Sequence, residues 1–501
     1  MPPLHDTGFQ PVSSTPMNQI TNDSVLNKTI TRCRERGVII PTFAQLKDPT
    51  TIPASVRTKL SKIAINDLDP ANLFRITWKN DPRPNGGFNS GNTVEFPSAL
   101  TGVPARIIGL VGKYFPTGAH KVGAAFGCLV PRLVSGQFDP TTQKAVWPST
   151  GNYCRGGAFD SALLGCTAVA ILPEQMSRER FDWLKQIGAE VITTPGGEAN
   201  VKEIYDKCWE IKRTRPDCVI FNQFEEFGNA IWHYHVTGGI VDEIFTRLCA
   251  QDSRLRLGGW VSATGSAGTI SAGDFIKSKH AGARVVATEA LQCPTLLRCG
   301  FGDHRIEGIG DKHVPWIHNV RNTDMVTAID DEQCLAIMRL FNEDAGKKLL
   351  SHQGVSSDTL NQLPLAGISG ICNLVAAIKA AKYYDMTERD VIFLPLTDSM
   401  ELYGSRIIEQ REAHGPFREV DAAVTYARYL QGAATDNLRE LNYQDRKQLH
   451  NFKYFTWVEQ QQRSADDLRA MWSDEFWERT FGQVQEWDRL IENFNRRIAA
   501  A

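Results

Sequence analysis

The segment TAVAILPEQMSRERFDWLKQIGAEVITTP (167–195) contains a β-branched apolar run, a helical pattern and a second β-branched run. Similar apolar runs occur on either side of it, at KAVW (144–147), CVIFNQ (218–223), WVSA (260–263), RVVATEA (284–290) and DVIFLPL (390–396). Short apolar strands that alternate with longer helices are typical of βαβ units. The sequence therefore predicts an α/β fold whose parallel sheet is covered by helices on both faces.

Length and composition limit the class of protein. The chain has 501 residues, 42% of them hydrophobic and 22% charged, with a formal net charge of -2. This length predicts two or more domains, and the balanced charge predicts a small-molecule partner, with neither nucleic acid nor a membrane surface as a ligand. Because no apolar stretch is long enough to span a bilayer and the first thirty residues lack a signal-peptide pattern, we expect a cytoplasmic protein.

The eleven cysteines include no C-x-x-C pair and no histidine at metal-ligand spacing. A disulfide framework or a zinc site would cluster them. We therefore expect reduced, mostly buried thiols and no metal site.

Two glycine-rich loops follow predicted strands, PSTGNYCRGGA (148–158) and TGSAGTISAG (264–273). In parallel sheets, ligands bind where such loops lead into helix N-termini, because free N–H groups and the positive dipole end lie there. The first loop is suited to a carboxylate and the second to an anion as small as one phosphate. Neither has the G-x-G-x-x-G or P-loop spacing, and either could also be a simple tight connection.

The segment TGAHKVGAA (117–125) places Lys121 between small residues, ahead of an apolar helical pattern. One interpretation is a helix-start lysine whose amine reaches water. The other is an unprotonated lysine that forms a Schiff base with an aldehyde cofactor, which requires small neighbours and a nearby phosphate site.

The two ends of the chain differ from its middle. Residues 1–65 are polar and punctuated by proline, which is typical of an arm on the surface of the body. Between Ser464 and Ile498, apolar residues recur at helical spacing and include three tryptophans, at positions 472, 477 and 487. We expect this amphipathic tail to pack on the body or on a second subunit, in preference to a membrane surface.

Taken together, these motifs resemble the tryptophan synthase β-like superfamily of pyridoxal-phosphate enzymes, fold type II, and most closely its cysteine synthase and cystathionine β-synthase branch. The resemblance covers roughly residues 90–405. Besides STGN (149–152), it is carried by LPEQMSRERFDWLKQIGAEVITTPG (172–196), NQFEEFGNAIWHYHVTGGI (222–240), IEGIG (306–310), GISGI (367–371) and TDSMELY (397–403).

The resemblance implies two doubly wound parallel-sheet domains with pyridoxal phosphate in the cleft between them, and a homodimer. We expect a large cofactor-binding domain from residues 66–147 and 246–415, and a smaller mobile domain from residues 148–245. An N-terminal arm (1–65) and a C-terminal helical extension (416–501) would complete the chain.

Residue roles follow from the resemblance position by position. Lys121 matches the Schiff-base lysine, which also serves as the base at Cα. The phosphate loop corresponds to Gly265, Ser266, Ala267, Gly268 and Thr269, with His120 as a further phosphate contact or an orienting, packing residue. Asn152 matches the partner of the cofactor's ring hydroxyl. The positions that match carboxylate-binding residues of the family are Ser149, Thr150, Gly151 and Gln223.

Ser399 matches the residue that contacts the pyridine nitrogen of the cofactor, and Asp398 beside it is the alternative. Near the substrate loop, Cys154 could be a reactive thiol but fits better as a small residue in a helix. Arg155 could pair with an acidic substrate group, although a surface salt bridge fits better.

Several positions depart from the branch. GAHK (118–121) resembles the tryptophan synthase β chain, the phosphate loop reads GSAGT (265–269), and TDSMELY has Met400 and Leu402 in place of glycine and arginine. These departures surround the substrate position, so the resemblance implies the reaction class more firmly than the substrate.

The expected reaction is β-elimination from a serine- or cysteine-type amino acid through an aminoacrylate, followed by addition of a nucleophile (cysteine synthase-like) or by release (cysteine desulfhydrase-like). A serine/threonine dehydratase-type deaminase and a catalytically inactive scaffold of the same fold are the alternatives. The missing dinucleotide fingerprint argues against a nicotinamide oxidoreductase.

Overall fold

The computed structural model describes residues 19–83, 85–149, 151–197, 201–310 and 312–500. Its strands form two separate sheets. In chain order they are β1 (Thr93–Phe96), β2 (Arg106–Val111), β3 (Lys144–Pro148), β4 (Thr167–Pro173), β5 (Glu190–Thr194), β6 (Cys218–Ile220), β7 (Arg256–Ala263), β8 (Arg284–Ala290), β9 (Met325–Ile329), β10 (Asp390–Leu396) and β11 (Leu438–Glu440).

The helices surround these sheets. In the first half of the chain they are α1 (Asp23–Glu35), α2 (Phe43–Lys47), α3 (Ala54–Leu60), α4 (Ser98–Thr101), α5 (Lys121–Val134), α6 (Asn152–Leu163), α7 (Arg178–Gln186), α8 (Val201–Thr214), α9 (Phe227–Trp232) and α10 (Gly238–Gln251). The second half has α11 (Ala272–Lys279), α12 (Thr295–Arg298), α13 (Asp331–Asn342), α14 (Asp344–His352), α15 (Ser357–Gln362), α16 (Ile368–Tyr383), α17 (Gly404–His414), α18 (Glu419–Thr425), α19 (Tyr443–Lys453), α20 (Ala465–Ala470), α21 (Asp474–Gly482) and α22 (Val484–Ala499).

The larger sheet has seven strands in the order β1-β2-β10-β7-β8-β9-β11, and the smaller has four in the order β5-β4-β3-β6. Pairing is parallel except at the two edges of the larger sheet, where β1 and β11 run antiparallel. The α/β fold with parallel sheets, predicted from the alternating pattern, is confirmed. The order reverses between β3 and β6 in one sheet and between β10 and β7 in the other, and ligands bind at such switch points.

Two of the expected boundaries need correction. Strand β3 pairs with β4 and β6 in the smaller sheet, so a boundary between residues 147 and 148 would cut that strand from its domain. The C-terminal extension is not purely helical, because β11 adds an edge strand beside β9. Sequence periodicity predicts that a strand forms, but only its hydrogen-bonded neighbours assign it to a sheet.

The amphipathic tail forms three helices, α20 to α22, and not one. Ser464 and Ser473 each accept hydrogen bonds from backbone N–H groups of the following turn, so each begins a new helix. Trp487 is fully buried against Phe43, and Asp488 accepts hydrogen bonds from the backbone N–H groups of Phe43 and Ala44 at 2.7 and 3.1 Å. The tail therefore packs on the body, against the N-terminal segment.

Close contacts between helices position α5, on which Lys121 lies. A Cβ on Gly127 would lie 2.3 Å from the backbone oxygen of Gly228 on α9, and a Cβ on Gly156 of α6 would lie 2.7 Å from Cα of Val122. Side chains at these positions would push the helices apart. Helix α5 is thus packed against α6 near Val122 and against α9 near Gly127.

Within the described ranges, no single helix is both long and apolar enough to cross a membrane. One pair of helices, Ser357–Leu365 and Ile368–Tyr383, passes that test only when taken together, and it bends by 119°.

Candidate active site

Lys121 is the first residue of α5 and is 9% exposed. Its Nζ donates to Gln223 Oε1 at 3.2 Å and to Ser266 Oγ at 3.3 Å. Two small adjoining cavities are both lined by Lys121 and Ser266. The amine therefore lies inside the protein, between two of the predicted site segments, and not at the surface.

The loop after β7 forms one wall of these cavities, with Gly265, Ser266, Ala267 and Thr269 as lining residues. Ala267 has a left-handed backbone (φ 59°), and a Cβ on Gly268 would lie 1.9 Å from Asn229 Oδ1. Such a turn directs successive backbone N–H groups to one side, as in anion-binding loops.

Asn229 holds this loop and was not predicted as a site residue. Its Nδ2 donates to Ser266 Oγ at 3.1 Å and to the backbone oxygen of Gln223 at 3.0 Å, so it ties the two loops together. The side chain is buried on α9. A polar residue within the apolar run NAIW (229–232) was the available signal.

The opposite wall comes from the loop between β3 and α6. Ser149 and Asn152 line the second cavity together with Gln223. Ser149 Oγ accepts a hydrogen bond from the backbone N–H of Gly151 at 3.0 Å, and Gly151 has φ 152°, a conformation that favours glycine. Thr150 lies outside the described residues. β3 and β6 are neighbours, which is why Ser149 and Gln223 meet.

The glycine segment IEGIG (306–310) completes the enclosure, and no role had been predicted for it. Gly308 and Ile309 line both cavities, and Gly308 and Gly310 have positive φ values of 90° and 84°.

The residues that follow β10 lie at different places relative to the two cavities. Thr397 lines the first cavity, whereas Ser399 is buried and lines neither of the two. Asp398 is fully buried, and its Oδ2 accepts hydrogen bonds from Asn152 Nδ2 at 2.6 Å and from Tyr403 Oη at 2.8 Å. Burial raises the pKa of the Asp398 carboxyl above its ordinary value.

Cys154 and Arg155, in the first turn of α6 after Asn152, both make hydrogen bonds inside the protein. Cys154 Sγ donates to the backbone oxygen of Gly151 at 2.9 Å, and burial raises the pKa of the thiol to about 12, so Cys154 is not a reactive thiol. Arg155 donates to the backbone oxygen of Thr117 at 2.8 Å and faces the Trp183 ring. Because Arg155 is buried, the expected surface salt bridge is wrong.

A buried group of charged side chains links helix α7 to the segment 306–310 and to helix α17. Arg180 of α7 pairs with Glu307, whose Oε1 also accepts from Arg406 Nε at 2.6 Å. Arg180 Nη2 donates to Tyr403 Oη at 3.3 Å. A Cβ on Gly151 would lie 2.4 Å from Arg180 Cδ, so this arginine also supports the loop between β3 and α6. Sequence analysis did not single out these charges.

The donors present fit an anionic group with an aldehyde. They comprise a buried lysine amine, a hydroxyl and a left-handed turn beside a helix start. Across the described residues, no group of three or more His, Cys, Asp or Glu side chains is placed to hold a metal ion. A lysine enclosed in this way, at the switch points of two parallel sheets, is the arrangement that the sequence resemblance implies.

Residues 113–349 match the family described as pyridoxal-phosphate dependent enzyme. Cystathionine beta-synthase of Saccharomyces cerevisiae is 26% identical over 324 residues, which are 63% of this chain and 60% of the yeast protein. Cysteine synthase of Staphylococcus aureus is 29% identical over 281 residues, 56% of this chain and 82% of the relative.

Solved structures share the fold. A hydrogen sulfide-producing enzyme from Fusobacterium nucleatum superposes with a TM-score of 0.53 at 22% identity, covering 62% of this chain and 96% of the enzyme. Cysteine synthase from Entamoeba histolytica has a TM-score of 0.54 at 20% identity, covering 67% and 92%.

Proposed function

We propose that the protein is a pyridoxal-phosphate-dependent lyase or transferase that carries out β-elimination or β-replacement on a serine- or cysteine-type amino acid. The observation that supports this most strongly is the buried Lys121 amine between Gln223 and Ser266. The names of the relatives, cystathionine beta-synthase and cysteine synthase, support the same reaction class. An inactive scaffold is not favoured, because it would not need a buried amine with two hydrogen-bond acceptors.

Pyridoxal phosphate, when bound, supplies an aldehyde that bonds to amines and a ring that withdraws electrons from Cα of an amino acid. Lys121 Nζ would hold the cofactor and later take the proton from Cα. Ser266 and the backbone N–H groups of residues 265–269 would bind the phosphate. Asn152 would contact the ring hydroxyl, in exchange for its bond to Asp398.

The substrate carboxylate would be held by Ser149, Thr150 and Gln223. Since Gln223 Oε1 accepts from Lys121, its Nε2 is the atom that can donate to a carboxylate. Closure of the two walls around this position would exclude water and orient the Cα–H bond.

A product screen tests the proposed function. Purified protein is supplied with pyridoxal phosphate and with serine, O-acetylserine, cysteine or threonine, each with and without sulfide or homocysteine. A new thioether or cysteine identifies replacement, while pyruvate with ammonia identifies elimination, because replacement of the cysteine thiol also releases sulfide. Product from threonine alone would favour the dehydratase, and no product with any pair would count against an enzyme.

Replacing Gln223 by alanine is expected to lower kcat/KM by an amount equivalent to about 1–3 kcal/mol, because a charged carboxylate loses one donor. Pyridoxal phosphate should remain bound, as read from its visible absorbance. Gln444→Ala, in the C-terminal extension, is the matched control and should leave kcat/KM unchanged. Loss of the cofactor from Gln223→Ala would show that the residue is structural.

Ser399 stays our proposed partner of the pyridine nitrogen. A hydroxyl leaves that nitrogen unprotonated, whereas the carboxylate of Ser399→Asp would favour its protonation and slow elimination about tenfold or more. Thr397→Val is the comparison, since Thr397 lines the cavity. An unchanged elimination rate in Ser399→Asp, with a slowed rate in Thr397→Val, would assign the contact to Thr397.

The resemblance further supports a cytoplasmic homodimer. Sedimentation of the purified protein measures its oligomeric state. A mass equal to one chain at working concentration would show that the protein is not a dimer.

A further inference from the structure

His120 is fully buried behind the loop 264–269, and its two nitrogens face different partners. Nδ1 lies 3.3 Å from the backbone oxygen of Thr397, an atom that can only accept. Nδ1 must therefore carry the ring proton. Nε2, 3.0 Å from Thr269 Oγ1, then presents a lone pair, so the threonine hydroxyl donates its proton to His120.

A second buried histidine approaches the same hydroxyl from the other side. Trp78 Nε1, which can only donate, donates to Thr237 Oγ1 at 2.9 Å, and Thr237 Oγ1 lies 2.9 Å from His233 Nδ1. The Thr269 hydroxyl already gives its proton to His120, so in a neutral His233 ring Nδ1 accepts from the Thr237 hydroxyl and the ring proton lies on Nε2. That nitrogen lies 3.5 Å from Thr269 Oγ1 and donates to it.

These bonds form one directed series, from Trp78 through two threonines and two histidines to a backbone oxygen. This series requires both imidazoles to be neutral, and their surroundings favour the neutral form. Burial, with the nearby charge of Lys121, lowers the pKa of His120 to about 3. Burial, with His120 and Lys121, likewise lowers the pKa of His233.

The series determines which hydroxyls of the loop can bind an anion. Thr269 Oγ1 gives its proton to His120 and accepts from His233. Ser266 Oγ instead accepts from Lys121 and from Asn229, so its own proton is available. The two hydroxyls of this loop thus have opposite roles.

We propose that His120 and His233 are positioning residues, which hold the Thr269 hydroxyl away from the cofactor's phosphate. The phosphate is then bound by the Ser266 hydroxyl and the backbone N–H groups of the loop, and neither His120 nor Thr269 contacts it through its side chain. This inference rests on the proposed function, because it places pyridoxal phosphate at this loop.

The tautomers can be read in the protein without cofactor. Long-range ¹H–¹⁵N correlation spectra of histidine-labelled protein, assigned with His120→Gln and His233→Gln, are expected to show His120 protonated on Nδ1 and His233 on Nε2, both neutral from about pH 6 to 8. The opposite tautomer in either ring, or an imidazolium, would overturn the proposal. This result does not depend on whether the protein binds pyridoxal phosphate.

Cofactor binding to the apoprotein, measured by calorimetry with pyridoxal phosphate, is the second arm. His233→Leu removes the donor to Thr269 and is expected to weaken binding about tenfold, whereas His233→Gln retains an N–H donor and should stay within about threefold of the wild type. Equal losses in the two variants would mean that His233 only fills space, which contradicts the proposal. A wild-type protein that binds no pyridoxal phosphate would refute the proposed function while leaving the tautomer result intact.

Discussion

Lys121→Ala is expected to reduce turnover by at least about 10³-fold, whatever the substrate of the product screen proves to be. The variant loses both the amine that holds the cofactor and the base that takes the Cα proton. The side chain is buried between Gln223 and Ser266, so no solvent amine can easily replace it. Borohydride treatment of the wild type, followed by peptide mapping, should fix the cofactor to the peptide that contains Lys121.

Lys113→Ala is the matched control for this variant. Lys113 lies eight residues earlier and pairs with Glu401 at the surface at 2.5 Å, so its removal should leave turnover within about twofold of the wild type. Circular dichroism spectra should show that both variants are folded. A Lys121→Ala protein with full turnover would refute the assignment of the cofactor to this site.

Arg180→Ala is expected to lower the free energy of unfolding by about 3–5 kcal/mol, the cost of leaving a buried charge without one of its partners. The side chains of Arg180 and Glu307 are 0% and 2% exposed, so water cannot compensate. Arg406 remains beside Glu307 and keeps part of the interaction. Equilibrium unfolding in urea, monitored by tryptophan fluorescence, measures the change.

The chain offers a control within the same helix. Arg178, two residues earlier, is 86% exposed and pairs with Asp182, so Arg178→Ala should change the unfolding free energy by less than about 1 kcal/mol. The double variant Arg180→Met with Glu307→Gln removes both charges and should recover much of the loss. If Arg180→Ala unfolds at the same urea concentration as Arg178→Ala, the buried pair contributes nothing to stability.

The sequence by itself determined the α/β fold, because the period of apolar residues and the chemistry of turns are local properties. It also predicted that the loops after β3 and β7 would form the site, since ligands bind at the carboxyl ends of parallel strands. The nine-residue segment around Lys121 left the role of this lysine ambiguous. Only the ordered set of matching motifs turned the prediction toward a cofactor lysine.

The tertiary structure decided which side chains meet. Asn152 and Asp398 are 246 residues apart in the chain, and Thr269 and His120 are 149 apart, so no local pattern relates them. The same is true of Asn229, of the pairing between Arg180 and Glu307, and of the sheet to which β3 belongs. Strand order and helix packing bring these groups together, and their protonation follows from burial, which is a property of the folded chain and not of the sequence around each residue.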